Sequence, residues 1–414
     1  MRLIVQKYGG TSVGNPERIQ NVARRLIETQ REGCKVVAVI SAMAGVTDEL
    51  VSRARAVSPN PTERELDVLL ATGEQAAIAL TAMAVNALGA KAVSLTGAEA
   101  GVVTDRAHTK ARIAHISPKQ IHELLADDYI VIVAGFQGQT AEGETTTLGR
   151  GGSDLTAIAL AGALNADACQ IFTDVDGVFT CDPRIVQDAQ KVDEIAYDEL
   201  LELAGAGAKV MQSRAVEFAK KFGIEFEVRS SFNRSPGTIA REETANMEDV
   251  VVRGVSIDRK QAKVTVMGVP DEPGIAAQIF SAISSANISV DMIVQNVSVR
   301  STSTDLSFTV HESELARTEQ LLAPIAAQIG SLGVTAQNGV AKLSVVGIGM
   351  RSHSGVAARL FDCLGKGHIN IRLISTSEIK IAVIIAEEEA ERAARLTHEA
   401  FGLANFPSSA PVTG

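Results

Sequence analysis

The chain has no tryptophan, three tyrosines and twelve phenylalanines among 414 residues, so aromatics make up only 4%. Proteins that hold single strands without sequence preference stack bases on such rings, and few are available here. Cations are the minority charge: 39 Lys and Arg against 49 Asp and Glu leave a formal charge of −10. Without a long Lys/Arg run, neither nucleic acid nor an anionic membrane surface is an expected partner. The four cysteines, Cys34, Cys169, Cys181 and Cys363, are too few and too scattered for a disulfide framework, and no CxxC occurs. They read as reduced packing thiols. No stretch reaches eighteen uninterrupted apolar residues, and the most apolar one, 76–90, carries Thr81 and Asn86 and reads as a buried helix. The N-terminus enters a strand directly, with no signal-peptide layout. A cytoplasmic protein is expected.

What is present is an ordinary globular composition, 46% apolar and 21% charged. At about 150 residues per domain, the length predicts two or three domains. Over residues 1–245, short apolar runs at 2–6, 36–40, 91–95, 130–134 and 170–173 alternate with helical spacing at 16–31, 66–88, 155–164 and 197–222. That alternation predicts an α/β unit with a mainly parallel sheet covered on both faces. Asn15-Pro16 supplies an N-cap and a proline at the first helical position. Residues 229–249 hold Asn233, Ser235, Pro236, Gly237 and a charged cluster, and read as the domain boundary.

Beyond that boundary the chain repeats itself. Residues 263–268 (KVTVMG) match 342–347 (KLSVVG) 79 residues on, and 274–280 and 287–293 match segments 81 residues on. Two copies of one unit are predicted, each reading strand, helix, strand, strand, helix. The first finds a closing strand at 333–340. The second runs into Pro407-Ser-Ser-Ala-Pro411 without one, and a strand at 250–257 is left over. The first unit (264–341) is therefore expected to be inserted in the second (250–263 and 342–414), since an unpaired edge would need protection.

Three motifs carry chemistry. Lys7-Tyr8-Gly9-Gly10-Thr11-Ser12 lies between a strand and a helix. It reads either as a plain glycine turn or as a phosphate loop, where glycines admit an anion to backbone amides and a lysine adds charge. Thr147-Leu148-Gly149-Arg150-Gly151-Gly152-Ser153-Asp154 also precedes a helix. Three glycines with an arginine, a hydroxyl and a carboxylate favour a binding loop over a turn. Neither a Walker A nor a Rossmann pattern occurs. Thr173-Asp174-Val175-Asp176-Gly177 through Asp182-Pro183-Arg184 begins at a strand end. It does not fit an EF-hand, and it fits a loop taking up a nucleotide and its magnesium. Ser41 through Thr47 and Gly73-Glu74 sit at further boundaries. No HExxH and no nucleophile–His–acid spacing occurs, and no resident metal site is expected.

Together these motifs, in this order, resemble the signatures of the aspartokinase family, in the amino acid kinase fold, and the repeated units resemble its paired ACT domains (ferredoxin-like βαββαβ). The resemblance spans residues 2–402. It implies transfer of the γ-phosphoryl of ATP, with Mg2+, to the side-chain carboxylate of L-aspartate. It implies that Lys7 contacts the phosphates beside Tyr8, Gly9 and Gly10, with Asp154 orienting the lysine. Ser41, Thr173, Asp174, Asp182, Pro183 and Arg184 would surround the nucleotide. Arg150, Gly151, Gly152 and Ser153 would hold aspartate's carboxylates, Glu74 its ammonium, and Thr47 would line the pocket. Lysine, threonine or both would act as feedback effectors at Asp271, Gly274, Ile275, Ala276, Asp291 and Gln295, completed by Asn370 and Ile371 of the second unit. The chain has no room for a homoserine dehydrogenase domain. Met247 stands where an internal start would give a small subunit, so a homodimer through the ACT units and a two-large, two-small tetramer both stay open. Rival readings are other kinases of this fold, acting on glutamate, carbamate or uridylate, and an amino-acid sensor with an inert kinase half.

Overall fold

The computed structural model describes residues 1–204, 211–242, 251–297, 303–351 and 353–406. The N-terminal unit runs β1 (Leu3–Tyr8), α1 (Pro16–Arg31), β2 (Lys35–Ile40), α2 (Val46–Val57), α3 (Glu63–Ala87), β3 (Ala92–Leu95), β4 (Val102–Thr104), β5 (Ile113–Ile116), α4 (Lys119–Ala126), β6 (Ile130–Ala134), β7 (Gln137–Gln139), β8 (Thr145–Thr147), α5 (Gly152–Ala163), β9 (Ala168–Thr173), β10 (Glu194–Ala196), α6 (Tyr197–Leu203), α7 (Ser213–Phe222), β11 (Phe226–Ser230) and β12 (Thr238–Arg241). Its main sheet has the order β10-β12-β11-β9-β1-β2-β6-β3, parallel except for β11 against β12. The central strands are apolar on both sides because each face meets helices. In β2, Val37 and Val39 join one core with α4, α5 and α7, while Val36, Ala38 and Ile40 join the other with α1 and α3.

Helix α1 starts as its sequence requires, with Asn15 accepting from the Arg18 amide at 2.9 Å ahead of Pro16. Helix α3 runs 25 residues straight through Gly73-Glu74. By length and composition it could cross a membrane, yet half of it is buried here against the sheet, with the carboxylates of Asp67 and Glu74 inside.

Two readings of the sequence need correction. The helix expected over 197–222 is two helices, α6 and α7, because Gln212 is extended and Ser213 begins a new helix. The boundary read over 229–249 starts too early: Arg229 belongs to β11 and residues 238–241 form β12, both in the main sheet. Residues 231–237, with Pro236 and Gly237 at their end, connect the two strands. A second, four-stranded sheet, β5-β4-β7-β8, has no signal in the periodicity because its strands are three or four residues long.

The C-terminal half contains β13 (Gly254–Pro270), α8 (Ile275–Ser285), β14 (Val290–Val297), β15 (Ser303–His311), α9 (Leu315–Gln328), β16 (Gly333–Val346), α10 (Val356–Lys366), β17 (Leu373–Thr376), β18 (Lys380–Ala386) and α11 (Ala390–Ala400). Its antiparallel sheet has the order β14-β15-β13-β16-β18-β17. Strands β13 and β16 are long enough to serve both repeats. Gly254–Asp258 pairs with Val346–Lys342, whereas Lys263–Met267 pairs with Gln337–Gly333. Met247 and residues 407–414 lie outside the described residues.

The two halves are joined by buried polar contacts. Glu199 on α6 pairs with Arg253 at 3.0 Å, with side chains 1% and 6% exposed, and accepts from the Ile348 amide. Glu202 pairs with Lys380 at 2.6 Å. Between β9 and β10, Cys181 and Val186 sit in the core of the second repeat. The Thr180 carbonyl accepts from the Val255 amide, and the Thr180 hydroxyl meets His398 Nε2 at 2.9 Å. Burial holds His398 below the ordinary histidine range.

Candidate active site

A cleft of about 390 Å³ opens where β1, β2 and the N-terminus of α5 converge. Lys7, near the end of β1, is 8% exposed, and its Nζ lies 2.6 Å from Asp154 Oδ1 in the first turn of α5. A carboxylate is favoured there by the helix dipole, so the pair is held from both sides. Gly10 is required by packing: a Cβ would stand 2.7 Å from the Ala42 carbonyl, where the exits of β1 and β2 cross. Gly151 has φ of +71°, and a Cβ there would overlap the Gln212 side chain.

Ser41, Thr47 and Glu74 line the same cleft as Arg150, Gly151, Gly152, Ser153 and Asp154. Glu74 Oε1 accepts from the Ala42 amide at 3.0 Å, while Oε2 is buried with no hydrogen-bond partner among the described residues. Burial pushes this carboxyl up to about 7, against the partial offset of the amide bond. Arg150 is almost fully exposed at the mouth, 4.0 Å from Asp48. Ser153 is buried against Gly135.

Some expected residues stand elsewhere. The Tyr8 side chain is a core group, 1% exposed, stacked on Phe172 at 4.7 Å, and donates to Gln6 Oε1. Burial raises its pKa far above the phenol range. It can offer a nucleotide only its backbone. The Gly9 amide donates to the Phe172 carbonyl at 3.2 Å, continuing the β1–β9 ladder, so it is spent on the fold. Thr173, Asp174, Asp182, Pro183 and Arg184 do not line this cleft. Thr173 ends β9 and Asp174 follows it, and since Phe172 pairs with Tyr8 the chain leaves the sheet beside the Lys7 loop. Asp182 and the exposed Arg184 pair with each other at 2.7 Å, which holds the Asp182 carboxyl low.

In the first repeat, Gly274 has φ of +95° and caps α8, with Asp271 exposed before it and Ile275 and Ala276 in its first turn. Gln295 is exposed on β14. Asp291 is not a free acceptor, because its carboxylate pairs with Lys342, whose side chain is only 3% exposed. A ligand ammonium there would have to share a carboxylate that already neutralises a buried lysine. Ile371 packs into the core of its own repeat, and Asn370 beside it is exposed.

The sequence reading missed Thr109 and Phe136, which also line the cleft with Thr147 of the second motif, and Asp67 behind them. Asp67 had one available signal: it lies two helical turns before Glu74 on one helix face.

The model of the amino acid kinase family matches residues 2–230, and that of the ACT domain matches 264–323 and 343–401. An aspartate kinase from Pseudomonas fluorescens is 52% identical over 406 residues, covering 97% of this chain and 98% of that one. This chain belongs to the aspartate kinase family. An aspartokinase from Corynebacterium glutamicum is 48% identical, covering 97% of both chains. Among solved structures, E. coli aspartokinase III in complex with aspartate and ADP superposes with a TM-score of 0.81 at 26% identity, over 96% of this chain and 99% of that one. As an aspartate kinase, the protein phosphorylates aspartate at the expense of ATP. Its ACT domains mark it for allosteric control.

Proposed function

We propose that the cleft between the Lys7 loop and α5 is where ATP and L-aspartate meet, and that the product is 4-phospho-L-aspartate. The observation that carries this is the buried Lys7–Asp154 pair sharing one cleft with the unpartnered Glu74 oxygen. A side-chain carboxylate of aspartate is already ionised at neutral pH, so no general base is needed. One of its oxygens forms the new bond to the γ-phosphorus as the bond to the bridging oxygen breaks, and ADP leaves with that electron pair. Catalysis then rests on alignment and on neutralising charge. Lys7 supplies a cation to the transferring group, and Asp154 aims it. Arg150 and Ser153 hold aspartate's carboxylates, Glu74 its ammonium, and Thr47 closes the pocket. Ser41, Thr173, Asp174 and the segment 182–184 hold the nucleotide. Magnesium, which binds through one or two carboxylates and the substrate's phosphates, would be held by Asp174, an exposed carboxylate at the end of β9, and would neutralise phosphate charge.

Arg150→Lys tests the assignment. A point charge does not reproduce the planar fork that a carboxylate accepts, so the aspartate KM should rise at least tenfold with the ATP KM little changed. A defect confined to ATP would move Arg150 to the nucleotide.

Glu74 gives a pH signature. Its pKa near 7 leaves it largely protonated below that pH and ionised above. Only the ionised form attracts an ammonium, so kcat/KM for aspartate should climb as pH rises through about 7. In Glu74→Gln that limb should vanish, and an unchanged pH profile would separate Glu74 from the ammonium.

The regulatory reading is that lysine, threonine or both bind at the turn before α8, between Asp271, Gly274–Ala276 and Gln295, with Asn370 of the second repeat. E. coli aspartokinase III has been solved with lysine and aspartate, at a TM-score of 0.78 and 26% identity. Titrating aspartate-dependent ADP release with lysine, threonine and both together identifies the effector. The pairing of β13 with both halves of β16 supports the insertion of one ACT unit (264–341) in the other (250–263 and 342–414). Ile293 on β14 and Ile374 on β17 are half exposed, which favours assembly through the ACT units, as a homodimer or with a small subunit starting at Met247. We place the protein in the cytoplasm, at the first step towards lysine, threonine and methionine.

A further inference from the structure

Asp67 lies on the apolar helix α3 and is fully buried. An ionised carboxylate in such a place is costly unless it is thoroughly hydrogen-bonded. Its Oδ1 accepts from the Thr109 amide at 3.1 Å and from the Thr147 hydroxyl at 2.5 Å. Its Oδ2 accepts from the same amide at 3.0 Å and meets His108 Nδ1 at 2.8 Å. All three partners lie on the loop between β4 and β5 or at the end of β8, and Thr109 and Thr147 are walls of the cleft.

The contacts hold a backbone that would not choose this shape. Thr109 has φ of +64°, a region that non-glycine residues seldom occupy and that persists only where the surroundings impose it. Its carbonyl lies 3.2 Å from where a Cβ on Gly149 would be, which presses the loop against the residue that precedes Arg150. The Ala111 amide donates to the Thr147 carbonyl, tying the same two segments a second time.

We propose that Asp67 is a positioning residue for aspartate: it fixes the Thr109 wall and the 147–149 segment, and through them the place of Arg150 and Ser153. This rests on the reading of the cleft as the aspartate site. Binding geometry of this kind is worth a large factor because small displacements are expensive.

The test is steady-state kinetics of the full-length enzyme, with thermal unfolding recorded on each variant. Asp67→Asn keeps the volume but turns one acceptor into a donor. It should raise the aspartate KM at least tenfold and leave the ATP KM within twofold, and Asp67→Glu should not restore it. His108→Ala and Thr147→Val, each removing one bond from the carboxylate, should raise the aspartate KM at least threefold with ATP again unaffected. These two variants decide the matter if Asp67→Asn does not fold. An aspartate KM within twofold of wild type in the folded variants, or an equal rise for both substrates, overturns the proposal. Arg150→Lys separates the two levels. If it raises the aspartate KM while these variants do not, Asp67 has no positioning role. If Arg150→Lys and these variants all leave the aspartate KM unchanged, the cleft assignment itself is wrong.

Discussion

Replacing Lys7 by alanine should lower turnover at least a hundredfold while the protein stays folded. The side chain is nearly buried, and its ammonium meets Asp154 at the mouth of the cleft. Removing one preorganised charge contact to a transition state costs about 3–4 kcal/mol, which is two to three orders of magnitude in rate. Loss of the partner would normally leave a buried carboxylate exposed to the full desolvation cost. Here Asp154 sits in the first turn of α5, where free backbone amides and the helix dipole take over part of the lysine's role. The effect should therefore fall on kcat rather than on the unfolding midpoint. Near wild-type turnover in a purified, folded Lys7→Ala protein would remove the lysine from the chemistry.

The second large effect is expected at the junction of the two halves. Glu199→Ala should cost about 3–5 kcal/mol, the usual penalty for taking one partner from a buried ion pair. Glu199 is 1% exposed and serves Arg253 and the Ile348 amide together, so its loss removes two buried polar contacts at once. Arg253→Met alone should be similarly damaging, and the double variant should recover part of the loss, because both members of this pair are then removed together. Thermal or denaturant unfolding of the three proteins measures the coupling. Strict additivity would show that the pair contributes nothing at this junction.

Much of this fold is legible in the sequence alone. The strands buried on both faces announced themselves as unbroken β-branched runs, and Asn15-Pro16 marked the start of α1 because capping is local chemistry. The Lys7 and Arg150 loops were recognisable because glycines at φ above zero and at crossing backbones have no substitute. What the sequence could not carry was long-range. Nothing local in Tyr8 says that its ring turns to Phe172 rather than to the cleft. Asp291 looks free until Lys342, 51 residues away, is brought to it. Asp67 meets partners 41 to 80 residues distant, and no spacing rule reaches that far. The short strands of the second sheet are held by tertiary contacts and have no periodicity to read.

The two strands shared by the repeats carry a constraint of their own. Because β13 and β16 each run through both ACT units, neither unit owns a complete set of strands. Cutting out one repeat would sever both strands midway and bare two rows of backbone amides and carbonyls. A slip of one residue in either strand would turn the inward side chains of both units outward at once. Such a pair ties the two units together through continuous backbone, and its first end is where Arg253 and Val255 meet Glu199 and Thr180 of the catalytic half.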